Sequence, residues 1–498
     1  MHAQGSRWGI ALLATALLVP GCGKKDSDGG SEAKQPETPA EPVKPEPPPP
    51  PRADLVNDTT EPQGELVWAT GLGALGREEP RAIALTPDGG AVITGIFADK
   101  VDFGKGELTA QALDIFVIKL DKDGAVEWST GIGGGGEDIA SGVAVDGKGN
   151  IVVVGWFSGE MMVGDTKLMA SGADDIFVIK LDAKGAPAWA RQFGGDHSDI
   201  SWGVATDPGG DIVVVGEFRN TITFGGEPHE SKGNADIFLL RLAEDGTFKW
   251  SKAFGDLGQD YGRAVAIDSR GDVVMAAEFS VEVDFGSGKP LVHKGNRDIV
   301  VAKYGADGTY RWAKAFGNTF DDIVLAAAVD PADNIVIGGS FEQKLKIGGT
   351  ELESAGRKDA LLAKLDPSGK VQWAKSYGAH RDDQIAALGA DKFGNVLASG
   401  WFVDKVDFGG GGELKAPNGN QDAFLLKLDR DGGYLWSKRF GDKDHDRGRA
   451  LAVTADGEIT LAGLFRFEID FGSKTLESAH KKKAKIAPAD IFVARFTP

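Results

Sequence analysis

The sequence predicts an all-β fold, a seven-bladed β-propeller of four-stranded antiparallel blades with the last blade closed by the N-terminal strand. Three observations carry this. The stretch Asp175–Gly194, DIFVIKLDAKGAPAWARQFG, recurs seven times: its Trp returns at Trp68, Trp128, Trp189, Trp250, Trp312, Trp373 and Trp436, 60 to 63 residues apart, and its Asp at Asp114, Asp175, Asp236, Asp298, Asp359, Asp422 and Asp490. Each unit holds four short strand signals with no helical periodicity between them, which is the pattern of a propeller blade. And the chain begins its repeat with a lone Trp-bearing strand and ends it with a lone Asp-opened strand, so the two ends complete one blade.

In chain order, Met1–Gly21 reads as an export signal, with Arg7 ahead of an apolar run (Gly9–Val19) and small residues at the exit. The run is too short to span a bilayer. Its end, LLVPGC, resembles the bacterial lipoprotein signal, which implies lipidation at Cys22, the only cysteine of the chain. A plain secretory signal with a chance cysteine is the alternative. Gly23 follows the cysteine, which points to the outer membrane of a bacterial envelope rather than retention at the inner one. With one cysteine no intramolecular disulfide exists, so stability must come from packing. Residues 22–63 form a tether rich in Pro, Glu, Lys and Ser that lacks the apolar periodicity of a core. At roughly 3 Å per residue it would reach on the order of 100 Å. A Pro-rich docking ligand is its other reading.

The propeller is expected over 64–498. The unit starting at Gly142 shows the four strands. GVAVD is strand a; the turn GKGN leads to strand b, IVVVGWF (Ile151–Phe157); a connection of about 17 residues leads to strand c, DIFVIKL (Asp175–Leu181); the turn DAKG leads to strand d, AWARQFG. Val, Ile and Phe fill the strands, and Gly, Asp and Asn mark their ends. Strand d stands alone at Glu65–Thr70 and strand c alone at Asp490–Phe496, and pairing them leaves no open edge. Strand a carries only small residues at two same-face positions (Ala82, Gly142, Gly203, Ala264, Ala326, Ala387, Ala450, and two residues later Ala or Gly), which places it innermost, where blades converge. The stretch GGGGEDIASGVAVDGKGNIVVVGWF, Gly133–Phe157, resembles the SBBP-type bacterial β-propeller repeat family. The resemblance covers Glu65–Pro498 and implies the fold; it implies little about activity.

Strand direction puts the b–c and d–a connections on one face, the top, and the tight a–b and c–d turns on the other. The tether leaves from the bottom, so the top should face away from the membrane. Two rings are expected on the top near the axis. The first is acidic: Glu78, Asp138, Asp199, Asp260, Asp322, Asp383 and Asp446. It reads either as a mouth for a cation or polar ligand or as carboxylates accepting backbone N–H bonds in a repeated turn. The second, three residues on, varies: Arg81, Ser141, Trp202, Arg263, Leu325, Ala386 and Arg449. Three Arg and one Trp suit a carboxylate, phosphate or sugar, or else each Arg pairs with the acidic ring. Trp156 and Trp401, near the top ends of strands b, suit stacking on a sugar or peptide, or packing between blades.

His197, His380 and His445 fall in d–a turns of different blades, spread around the ring, which speaks against one metal site. The insertion HKKKAKIAP, His480–Pro488, is a basic patch, either solvated or a dock for an acidic partner. The chain carries 498 residues and a net charge of −19, which argues against nucleic acid or an anionic membrane surface as partner. No Gly-x-Ser-x-Gly, HExxH or phosphate-loop motif occurs. The expectation is therefore a membrane-tethered, monomeric module without a cofactor that binds a protein or glycan through its top face. A hydrolase or lyase at the channel mouth is the alternative.

Overall fold

The computed structural model describes residues 63–74, 76–479 and 489–498. The expected signal segment, Cys22, the tether as far as Pro62 and the insertion His480–Pro488 lie outside them. The described chain forms seven four-stranded antiparallel blades, each ordered a-b-c-d. Blade 2 is typical, with strands Asp138–Val145, Ile151–Phe157, Asp175–Leu181 and Pro187–Phe193. Strand b is almost fully and strand c fully buried, because a neighbouring blade covers each face; this is why they read as unbroken apolar runs rather than alternating ones. The core is correspondingly divided between blades. Val92, Ile115 and Val117 of blade 1 pack with Val153, Phe177 and Ile179 of blade 2, and so on around the ring.

The strands a, from Glu78–Leu85 to Arg447–Val453, touch one another in a closed circle at the axis. Space there is short: a Cβ on Gly203 would stand 3.2 Å from the Arg263 carbonyl of the next blade. Blade 7 is closed by the two chain ends, Leu66–Leu72 running antiparallel to Asp490–Phe496 from Leu66↔Phe496 to Leu72↔Ile491. Gly64 N–H donates to the Pro498 carbonyl at 3.2 Å and Thr497 N–H to that of Glu65 at 2.9 Å, in place of the c–d turn of the other blades.

The strand-d Trp residues clasp one blade to the next. The Trp68 indole N–H donates to the Lys122 carbonyl at 3.0 Å, Trp250 to Ala306 at 3.0 Å and Trp312 to Pro367 at 3.1 Å, each acceptor lying in the c–d turn of the following blade. The ring lies over that turn's glycine. Gly369, at φ +82°, has room for no side chain, since a Cβ would come within 2.9 Å of Trp312. Gly64, at φ +65°, is the seventh such glycine, under Trp436. Beneath, the cation near the end of strand c meets the acidic opening of the a–b turn: Lys180–Asp146 at 3.1 Å, Lys364–Asp330 at 2.8 Å, Lys427–Asp391 at 3.2 Å. In blade 7 that turn opens with Thr454, and Arg495 is left with the Thr460 hydroxyl at 3.1 Å and the Lys122 carbonyl at 3.2 Å.

The b–c connections differ from expectation. They are not irregular loops: every blade inserts a two-stranded hairpin there, such as Glu160–Val163 with Thr166–Met169 and Lys405–Asp407 with Glu413–Lys415. Their inner residues are buried, among them Phe103, Val163, Phe224, Phe285, Ile347, Phe408 and Phe471. The hairpins cover apolar surface beside strand d, so they serve the core first. Variation on the top face is thereby concentrated nearer the axis.

Candidate functional site

Every strand a carries a β-bulge, where two residues oppose one on strand b: the register shifts between Pro80 and Ala82, Ala140 and Gly142, Ser201 and Gly203, and likewise in blades 4 to 7. The extra residue is the variable one at Arg81, Ser141, Trp202, Arg263, Leu325, Ala386 or Arg449. A bulge bends its strand and re-aims a side chain, and bulges are frequent beside functional sites. The residue ahead of the strand-b Phe varies in step: Ile96, Trp156, Glu217, Glu278, Ser340, Trp401 and Leu464. The position facing it on strand a is Glu79, Ile139, Ile200, Tyr261, Ile323, Gln384 or Arg447. These three positions interlock from blade to blade at the top end of the innermost strands.

The six sequence-predicted binding residues fall into two clusters. In the first, Trp156 of blade 2 packs on Trp202 of blade 3 with ring centroids 5.3 Å apart, and the Arg263 guanidinium of blade 4 lies 4.9 Å from the Trp202 centroid and 4.5 Å from that of Tyr261. Two carboxylates underlie this ladder. Glu217 accepts the Trp202 indole N–H at 3.2 Å, and Glu278 takes Arg263 Nε at 3.2 Å and Arg297 at 3.0 Å. Both are buried; burial raises the Glu217 pKa against the pull of Trp202 and Arg263. In the second cluster Trp401 of blade 6 carries two guanidiniums of blade 7, Arg447 at 5.1 Å and Arg449 at 5.5 Å from the ring centroid. Arg81 joins from blade 1, bonded to Glu79 at 3.1 Å.

The acidic ring lies below this surface. Asp138, Asp199, Asp260, Asp322 and Asp446 are 0% exposed, and Glu78 and Asp383 1%. The Asp199 carboxylate accepts the N–H of Gly195 at 2.8 Å and of Arg219 at 2.9 Å; Asp383 does the same with Ala379 at 3.0 Å and Val403 at 2.9 Å. These two, like Asp260 and Asp446, tie the d–a turn to the start of the b–c hairpin. None is paired with the variable Arg residues: Arg81 uses Glu79 and Arg263 uses Glu278 instead. Burial drives the pKa of Glu78, Asp138, Asp199, Asp260 and Asp383 up to about 7, of Asp322 to about 8 and of Asp446 to about 9. The Asp opening strand c adds its charge, as Asp114 does to Asp138. That strand-c carboxylate also explains the glycine ending strand d: a Cβ on Gly194 would stand 2.2 Å from Asp175 Cγ.

Among the described residues no group of three or more His, Cys, Asp or Glu is arranged to hold a metal ion. The three histidines are not evenly spread as expected. His380 and His445 line one open cleft of about 440 Å³ with Arg357, Arg381, Asp382 and Gln421, while His197 sits apart against the Asn220 amide at 3.0 Å. A Ser–His hydrogen bond does occur, Ser251 Oγ to His229 Nε2 at 2.7 Å, but the imidazole packs beside Phe218 and Phe224 at the outer rim. Sequence reasoning missed Glu217, Glu278, Tyr261, Glu79 and Arg447. For Glu217 and Glu278 the signal was present in the sequence: their strand-b position varies between a Gly or Ala on one side and a constant Phe on the other.

No family model matches the chain. It is 26% identical, over 80% of its length and 36% of the other's, to an uncharacterized WD repeat-containing protein, L264, of Acanthamoeba polyphaga mimivirus. It is 27% identical over 200 residues, 38% of this chain and 20% of the other, to the regulatory protein FlaEY of Caulobacter vibrioides. The chain thus spans about a third and a fifth of the lengths of these relatives. Among solved structures it resembles puromycin hydrolase (TM-score 0.44, 12% identity, 82% of this chain and 55% of that one) and the Pan2 WD40 domain of Neurospora crassa (TM-score 0.35, 10% identity, 72% and 89%). The strand order makes the chain a β-propeller, and its sequence has a WD repeat-containing relative.

Proposed function

We propose that this propeller is a binding module that engages a protein or glycan partner through the top ends of its innermost strands. One observation carries the reading. Residues that vary between otherwise repeated blades converge on one end of the ring, as an aromatic and arginine ladder in blades 2 to 4 and an arginine and tryptophan group in blades 6, 7 and 1. Half-buried aromatics and stacked guanidiniums are the side chains that dominate recognition surfaces. The WD-repeat-like relative fits a scaffold role for proteins. The same reading places the module on the bacterial envelope, held by a lipid on Cys22 and a tether, in the SBBP-type repeat family; the LLVPGC and GGGGEDIASGVAVDGKGN stretches support it.

The test is partner capture by the full chain after cross-linking in its host. Trp156→Ala with Trp202→Ala should abolish a capture that Lys184→Ala, an exposed bottom-turn change, leaves intact. Equal capture by both variants rules out the top face. For the anchor, Cys22→Ser should move the protein from the membrane to the soluble fraction, and unchanged partitioning would reject lipidation.

A further inference from the structure

The two clusters differ in charge balance. In blade 4 the bulge arginine is neutralised: Arg263 gives Nε to Glu278 at 3.2 Å and a second nitrogen to its other oxygen at 3.3 Å. In blade 7 the arginine at the same bulge, Arg449, has no carboxylate within ion-pair distance among the described residues, and neither has Arg447, whose Nε donates to the neutral Gln421 side chain at 2.6 Å. The nearest acid, Glu79, is already held by Arg77 at 2.8 Å and Arg81 at 3.1 Å. Arg81 Nε is itself buried without a partner. Burial, and then the guanidiniums of Arg447 and Arg81, bring the Arg449 pKa down to about 10. Like charges held together at a half-buried place cost stability. In a chain of net charge −19, which could have supplied a carboxylate, that cost calls for a use.

We propose that Arg81, together with Arg447 and Arg449 stacked on the Trp401 ring, forms a subsite for an oxyanion, the carboxylate or phosphate group of the ligand, where blade 7 meets blade 1. The inference rests on the top face being the binding face and names the chemistry of one part of it. Arginine suits this task better than lysine because its planar fork donates two parallel hydrogen bonds to one oxyanion. Stacking on Trp401 fixes the planes of two forks in advance, so less side-chain freedom is lost on binding. The ladder of blades 2 to 4, with its guanidiniums already satisfied, offers faces rather than charge. The acidic remainder of the molecule opposes a long polyanion. A ligand with one or two anionic groups beside an apolar or sugar body fits both halves of the surface.

The experiment measures binding of inorganic phosphate and of succinate to the purified full chain, against chloride at matched ionic strength, by calorimetry and by the rise in melting temperature. At least one anion should bind and raise the melting temperature, and which of them binds tells phosphate from carboxylate. Arg449→Met should weaken that binding by about tenfold while leaving the anion-free protein as stable or more so, because a like charge has gone. Arg449→Lys, which keeps the charge and loses the fork, should weaken it by at least about threefold. Arg430→Met, which removes an exposed guanidinium from a bottom turn, should bind like the wild type. The proposal is overturned if neither anion binds better than chloride, if Arg449→Lys binds as the wild type does, or if Arg430→Met weakens binding as much as Arg449→Met. No partner is present in these measurements. Their failure therefore leaves the top-face reading standing, and failure of partner capture leaves the anion result standing.

Discussion

At the scale of single residues, the repeat makes the exceptions informative. Six blades meet the strand-c cation with a turn carboxylate, whereas in blade 7, whose turn opens with Thr454, Arg495 bonds only the Thr460 hydroxyl and the Lys122 carbonyl among the described residues. A buried cation without its counter-ion is costly, so Thr454→Asp should stabilise the protein by about 1–2 kcal/mol, read from the urea midpoint; an unchanged or lower midpoint would sink the idea. The tryptophans give a second internal comparison. Trp312→Phe removes the bond to the Pro367 carbonyl and should cost about 1 kcal/mol beyond the loss of ring area. Trp128, whose indole N–H is buried without a partner, should lose only the ring area in Trp128→Phe. Equal losses would mean that the indole bond contributes nothing. The Trp and the Asp were legible as counters of blades. The work of the Trp was not, because its contact reaches the following blade, 54 residues away for Trp68 and Lys122, and spacing does not reveal contacts at that range.

At the scale of the element, all four strands of every blade were legible, since an apolar run between Gly and Asp turns has few other solutions. The hairpin between strands b and c was not, although each copy has an alternating apolar signal, VDFG or a variant such as MMVG, ITFG or LKIG. Short two-residue pairs such as Thr221–Ile222 with His229–Glu230 fall below the length at which alternation is distinctive. The bulge in strand a was hidden for a related reason: it adds one residue without altering composition, so the variable ring was found but not the kink that presents it. The closing strand allows a test at this scale. Deleting residues 64–71 removes the partner of Asp490–Phe496 and opens a sheet edge beside buried Phe492 and Val493. The expected result is a melting temperature lower by on the order of 10 °C or more with concentration-dependent aggregation; a variant that melts as the full chain does would show the closure to be dispensable.

For the whole molecule, the seven ring carboxylates act together on stability. Unfolded, they titrate near 4; folded, burial lifts them to between about 7 and about 9. The folded state therefore holds protons that the unfolded state has released. Their contribution is complete below pH 4 and falls as pH rises, to be lost once pH passes the folded values. The melting temperature should drop by on the order of 5 °C or more from pH 6 to pH 9. Asp446→Asn, which fixes the uncharged state at the highest of these positions, should flatten the slope above pH 7; a slope that persists unchanged would place its origin elsewhere. Salt bridges such as Lys119–Asp88, where Lys119 and Thr86 hold the Asp pKa down to about 2, act at lower pH and do not obscure this window.

The seam in blade 7 also sets an order of events during synthesis. Glu65 meets Thr497 across 432 residues of chain, so the earliest part of the domain to leave the ribosome waits for the last. The intermediate blades each hold their own four strands and can assemble as they emerge, but the ring stays an open arc until Pro498 is released. A chain stalled, cleaved or crossing a membrane before that moment presents two unmatched edges at once.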